Sequence, residues 1–350
     1  MRATTSRRLA PALPTLIAVV ILGALGLPPS AAALDVNGGA DQFAGGFSPT
    51  DAPWGGFGGG ACAASRTPVI FIHGNGDEAK NFDAPATGGA ASVYDAFRAD
   101  GYNECELFGV NWLSPGERAA PQLNYHRPSK ADLIADFLDD VKAYTGKTQV
   151  DVVSHSLGVT LSLYAIEEDG AWGSVRRFIG IAGALRGLSS CWAVGPGNPL
   201  FPTCGSQNVF NSDIFGLHPH SWFSWNPRMG NGGFRDDPAG KGTVFYTIGA
   251  DIHDEVLCGT SSSSWGCGDT ALFDSRSNVR SQLDVGFGTP ASNFDFDFTD
   301  WTIFNLLGGD ADGVGHYRAK SDTGAIQINM LRTGCTGTGC CAGYTQACGP

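Results

Sequence analysis

The chain is poor in positive charge. Only 22 lysines and arginines stand against 34 aspartates and glutamates in 350 residues, for a formal net charge of −12. That balance excludes nucleic acid and anionic membrane as electrostatic partners. The chain also lacks the roughly 20-residue apolar run that a membrane span requires, since its longest stretch, Leu16 to Leu27, is about a dozen residues. The Cys-x-x-Cys pairs and histidine partners of a zinc site are missing, and no internal repeat recurs. With 50 glycines and only 16% charged residues, the composition suits a loop-rich, compact protein.

What is present begins with an export signal. Arg2, Arg7 and Arg8 form a positive n-region ahead of the Leu16–Leu27 run, and Ala31-Ala32-Ala33 fits an A-x-A cleavage site before Leu34. Residues 1–33 are therefore expected to be a signal peptide and residues 34–350 a single secreted, extracellular domain without a membrane anchor. All ten cysteines lie after the cleavage site, an even number suited to disulfides in an oxidising compartment. Near neighbours suggest Cys191–Cys204, Cys258–Cys267 and a C-terminal cluster, which leaves Cys62 for Cys105.

Along the mature chain, strand and helix patterns alternate. Residues 36–60, rich in Gly and aromatics, read as an irregular N-terminal segment. Pro68–His73 reads as a buried strand, followed by a helix near Ser92–Ala99 and a strand at Glu106–Val110. Ser129–Tyr144 places Leu133, Ile134, Phe137, Leu138 and Val141 at helical spacing. Val150–Val153 is β-branched and precedes a helix from Leu157 to Glu167. Phe178–Ala182 and Val244–Ile248 read as later strands, and a last helix is expected after Asp322. This order predicts an α/β class with a mostly parallel sheet flanked by helices. Residues 187–240, rich in Pro, Gly, Asn and Ser, break the rhythm and read as a long irregular, lid-like insertion.

Ser154-His155-Ser156-Leu157-Gly158 follows a strand and opens a helix, which is the context of a nucleophile elbow in an α/β-hydrolase core. Ser154 takes the place of the usual first glycine. The expected order of a triad is Ser, acid, His. Of the seven histidines only His316 lies after the acid candidates that follow the Val244–Ile248 strand, so it is the expected base. Asp254 is placed ahead of Asp251 for the acid because it stands further past the strand, with Glu255 third. The oxyanion hole is expected from the backbone amides of Leu157 and of Asn75, in the His73-Gly74-Asn75-Gly76-Asp77 turn.

Taken together, these motifs resemble the secreted, single-domain poly(3-hydroxybutyrate) depolymerases that attack native, amorphous granules, which are related to bacterial lipases. The resemblance runs from about Ala44-Gly45-Gly46-Phe47 to the C-terminal cysteines. Its longer strings are Gly56-Phe57-Gly58-Gly59-Gly60, Pro68 through Asp77, Ala143-Tyr144-Thr145-Gly146-Lys147, Thr203 through Asn208, and Gly313-Val314-Gly315-His316. It implies Ser156 as nucleophile, Asp254 as acid, His316 as base, and Asn75 and Leu157 as oxyanion donors. It further implies hydrolysis of polyester with no metal or organic cofactor. The protein is expected to be a monomer. A secreted triacylglycerol lipase or carboxylesterase acting on lipid esters is the alternative. Two features depart from the family: Ser154 replaces a small apolar residue, and Trp222, Phe223 and Trp225 stand where tyrosines are prominent. Those three aromatics are the expected polymer-adsorbing residues.

Overall fold

In the computed structural model the described residues are 34–188, 191, 198–205, 216–217, 238–250, 254–258, 268–285 and 315–350. Residues 1–33, expected to be a signal peptide, and most of the 187–240 insertion, including Trp222, Phe223 and Trp225, lie outside them. No described helix is long and apolar enough to cross a membrane.

Among the described residues nine strands form one sheet. They are β1 (Asp41–Phe43), β2 (Gly56–Gly58), β3 (Val69–Ile72), β4 (Leu107–Val110), β5 (Val150–His155), β6 (Val175–Ile181), β7 (Val244–Gly249), β8 (Val279–Val285) and β9 (Cys348–Gly349). Their spatial order is β1-β2-β4-β3-β5-β6-β7-β8-β9. Only β2–β4 and β8–β9 pair antiparallel, and every other pair is parallel. The central strands β3 and β5 are buried at every residue, as expected for parallel strands covered on both faces.

The helices are α1 (Val93–Ala99), α2 (Pro115–Arg118), α3 (Pro128–Thr145), α4 (Leu157–Glu168), α5 (Glu255–Cys258), α6 (Arg318–Ser321) and α7 (Gly324–Arg332). α3 buries Leu133, Ile134, Phe137, Leu138 and Val141, the apolar set read from its periodicity. Its Pro128 sits at the N-terminus, where a missing N–H costs nothing, and Gly146 ends it in the left-handed conformation. Ser92 caps α1 by accepting from the Asp95 N–H at 2.9 Å. α3 packs against α4 and α1 against α7. Right-handed crossovers put those two pairs on opposite faces of the sheet. This is the α/β-hydrolase fold.

The chain runs from β3 outward to β4, then returns past β3 to β5. The C-terminal ends of β3 and β5 thus lie side by side where the winding direction reverses, which is where open α/β sheets bind ligands.

One sequence expectation needs correcting. Residues 36–60 are not wholly irregular, because β1 and β2 lie within them and extend the sheet. Gly56 belongs there for steric reasons: a Cβ on it would sit 2.2 Å from the Gly109 carbonyl oxygen on β4. β6 also begins three residues earlier than expected. Arg176 stands in that added stretch and forms an ion pair with Asp151, fully buried on β5.

Four disulfides occur among the described residues: Cys62–Cys105, Cys191–Cys204, Cys335–Cys340 and Cys341–Cys348. They suit an oxidising, extracellular compartment. Cys267, expected to pair with Cys258, is outside the described residues.

Candidate active site

Strand β5 ends at His155, and Ser156 makes the turn into α4 with φ 55° and ψ −130°. A non-glycine residue in that region is strained and persists only where its surroundings hold it. The Ser156 N–H donates to the Ile181 carbonyl at the end of β6 (2.9 Å). Close packing does the rest. A Cβ on Gly158 would lie 2.4 Å from the His73 carbonyl oxygen, and one on Gly74 would lie 2.8 Å from the Ser156 Cβ. Small residues at these positions let the β3 loop and the elbow touch. Ser154, where glycine is usual, is still in β5, and its buried Oγ lies 3.2 Å from the Ser162 Oγ on α4. Its hydroxyl is thereby satisfied.

Above the elbow stands His316, whose Nε2 lies 2.9 Å from Ser156 Oγ. Its Nδ1 faces both oxygens of Asp254, at 2.9 and 3.0 Å. An ionised carboxylate only accepts, so Nδ1 carries the proton and Nε2 is free to accept from the serine hydroxyl. Asp254 is almost wholly buried, and its Oδ1 also accepts from the N–H groups of Val256 and Leu257 at 3.1 and 2.8 Å. Those bonds fix the carboxylate's direction. The structure thus brings together Ser156, His316 and Asp254. Asp251 lies outside the described residues, as does the side chain of Glu255.

Asn75 and Leu157 both line the cavity into which Ser156 and His316 open. Among the described residues neither backbone N–H finds an acceptor. The Asn75 side chain points elsewhere: its Nδ2 donates to the Pro121 carbonyl (2.8 Å) and its Oδ1 accepts from Asn124 (2.7 Å). The side chain anchors the turn and leaves the amide available. The cavity measures about 510 Å³, within the usual range for small-molecule sites. Its walls are mainly apolar, with Ala182, Leu188, Leu217 and Leu257 among them and the Cys191–Cys204 disulfide on one side.

Sequence reasoning missed the groups that brace these residues. His73, at the end of β3, is fully buried and stacked on Trp112, with ring centroids 5.4 Å apart. Its Nδ1 meets the Gly74 carbonyl (2.8 Å), and its Nε2 accepts from the Trp112 N–H (3.2 Å). Burial lowers its pKa to about 4, Asp77 opposing that only in part, so the ring is neutral. His155, also buried, donates from Nε2 to the carbonyl of His316 at 3.0 Å. Burial first, then the nearby His316 and Lys320, hold its pKa well below the ordinary histidine value. Both residues sit inside the motifs already singled out, so their positions were legible although their roles were not.

Comparison with known proteins covers part of the chain. Residues 66–216 match the family model for lipase (class 2). Among solved structures, Bacillus licheniformis lipase BlEst2 in its mature form is 17% identical with a TM-score of 0.37, over 61% of this chain and 80% of that one. Its propeptide form is 15% identical with a TM-score of 0.38, over 62% and 44%. Aspergillus fumigatus lipase B is 18% identical with a TM-score of 0.42, over 71% and 53%. This chain therefore spans only about half the length of two of these three structures. The family match includes the His73–Asp77 turn and the Ser156 elbow and ends before Asp254. Over those residues the chain is similar to the class 2 lipases, a similarity that supports a lipase-related ester hydrolase.

Proposed function

We propose that the protein is a secreted serine esterase that hydrolyses poly(3-hydroxybutyrate)-type aliphatic polyester. The observation that carries this reading is His316 bridging Asp254 and Ser156, with Ser156 and His316 lining a largely apolar cavity. Ser156 Oγ attacks the ester carbonyl as His316 Nε2 takes its proton, and the Asn75 and Leu157 amides hold the developing oxyanion. The imidazolium, steadied by Asp254, then gives that proton to the leaving alkoxide, which departs as the alcohol. Water attacks the acyl-enzyme with His316 again as base, releasing the acid and restoring the Ser156 hydroxyl. No step calls for a metal or organic cofactor.

The polyester substrate is supported by the long strings of sequence outside the triad, and export by the leader residues and the disulfides. Trp222, Phe223 and Trp225 are proposed to adsorb the polymer surface. Their replacement by alanine should weaken binding to polymer while sparing soluble esters, and equal loss on both would remove that role. A second reading, a triacylglycerol lipase, is favoured by the class 2 lipase match. Clearing of an amorphous poly(3-hydroxybutyrate) suspension, run beside triolein and p-nitrophenyl butyrate, decides between them. Activity on triolein without clearing would overturn the polyester reading, and inactivity on all three would overturn ester hydrolysis.

A further inference from the structure

The sequence motif that holds Asn75 ends in Asp77, and oxyanion binding by a backbone amide gives that carboxylate nothing to do. Its partner is remote in sequence. Lys320 Nζ, on α6, donates to Asp77 Oδ2 at 2.7 Å, and the two side chains are only 5% and 8% exposed. The other oxygen, Oδ1, accepts from the Glu78 N–H at 2.9 Å and from Asn81 Nδ2. The lysine ammonium also stands 5.1 Å from the centre of the Phe82 ring.

The positions of the two residues matter more than the contact. Asp77 is two residues beyond Asn75, in the turn after β3. Lys320 is four residues beyond His316 and is tied to its segment by its own N–H, which donates to the Tyr317 carbonyl (2.9 Å). That same segment is gripped again at His316, whose carbonyl accepts from His155. Burying two charges carries a desolvation cost that their attraction repays poorly, so stability alone is a weak reason for the pair. A fixed distance between two segments is a better one.

We infer that the Asp77–Lys320 ion pair is a positioning device, holding the turn that carries the Asn75 amide at a set distance from the segment that carries His316. The inference rests on the triad reading above. Neither residue touches the reacting atoms. The pair sets how an oxyanion donor and the base face one carbonyl, a relation in which a displacement of about 1 Å can cost ~10²-fold in rate.

The test uses the full chain with p-nitrophenyl butyrate as substrate and phenylboronic acid as a mimic of the tetrahedral adduct. In Asp77→Leu/Lys320→Met, apolar side chains replace both charges and keep the interior filled. In Asp77→Glu both charges stay and the anion is one methylene longer. In each, kcat should fall ~10- to 10²-fold with KM within about twofold, and boronate affinity should fall by the same factor as kcat/KM. Melting temperature and circular dichroism report folding. A folded variant of either kind with unchanged kcat and boronate affinity overturns the inference. So does failure of both variants to fold, which would make the pair a support of the fold alone. Ser156→Ala, assayed in parallel, separates the two readings: if it stays active the triad reading is wrong, and if it is inactive while the pair variants are unimpaired, only the positioning role is lost.

Discussion

His155 and His316 are joined by a hydrogen bond of 3.0 Å from the imidazole of one to the backbone carbonyl of the other. The residue before the elbow serine thus holds the residue that faces that serine. Its remaining ring nitrogen, Nδ1, is buried without a partner among the described residues, a cost normally avoided. Replacing His155 by Ala should lower kcat on p-nitrophenyl butyrate about tenfold or more, through a loosened His316. His155→Gln, which can still donate, should recover part of that loss. Equal kcat in the two variants would remove the hydrogen bond from the account.

Replacement of the proposed triad is expected to give graded losses. Ser156→Ala and His316→Ala should lower kcat by about 10⁴-fold or more, and Asp254→Asn by about 10⁴-fold, because the amide favours the wrong imidazole tautomer. Melting temperatures measured beside the rates keep folding effects apart.

The Asn75 side chain braces the cavity-lining turn whose amide is proposed as an oxyanion donor. Asn75→Ala should leave the amide in place but unbraced, lowering kcat by about tenfold with little change in KM. Steady-state kinetics on a soluble ester checks this. An effect on KM alone would assign the side chain to substrate binding.

Acid should destabilise the fold through His73. Its pKa is lowered to about 4 in the folded state from 6.5, so its contribution is complete above pH 6.5 and is lost as pH falls through about 4. The full loss is on the order of 3 kcal/mol. Asp83, raised to about 6 by burial, acts in the opposite sense over part of this window. The informative quantity is therefore the difference between wild type and His73→Asn, from denaturant unfolding at pH 8, 6 and 4.5. The variant should show the shallower decline toward acid.

The Cys191–Cys204 disulfide closes a short loop beside the cavity. Replacing both cysteines by serine should cost about 2–4 kcal/mol of stability. The apolar wall would lose its tether, so KM for the soluble ester should rise more than kcat falls. Unfolding curves and steady-state kinetics measure the two effects separately.

How much of this was legible in the sequence depended on whether its signal was local. Strand β5 and helices α3 and α4 follow from β-branched runs and helical spacing, and the elbow from their junction. Strand β2 was hidden because glycine fills it: close backbone approach at Gly56 replaces the bulky side chains that mark a strand. Arg176 and Arg177 disguised the start of β6, since their charge is accommodated there only by remote partners: Asp151 for Arg176, and the Met330 and Leu331 carbonyls for Arg177. β8 alternates buried and partly exposed residues from Leu283 back to Ser281, a weak period that the surrounding polar residues obscured. The Asp77–Lys320 pair had no local signal at all, because only the folded chain brings those residues together.

The borders of the sheet carry a consequence of their own. Among the described residues its outermost strands are β1, three residues long, and β9, two residues long and locked by Cys341–Cys348. On the polyester proposed above, copies of the protein would crowd together at an insoluble surface. Long unpaired borders would let such copies join edge to edge into aggregates. Here a neighbouring copy would find two or three residues to pair with, and at one border a covalent loop resists the rearrangement that would expose more.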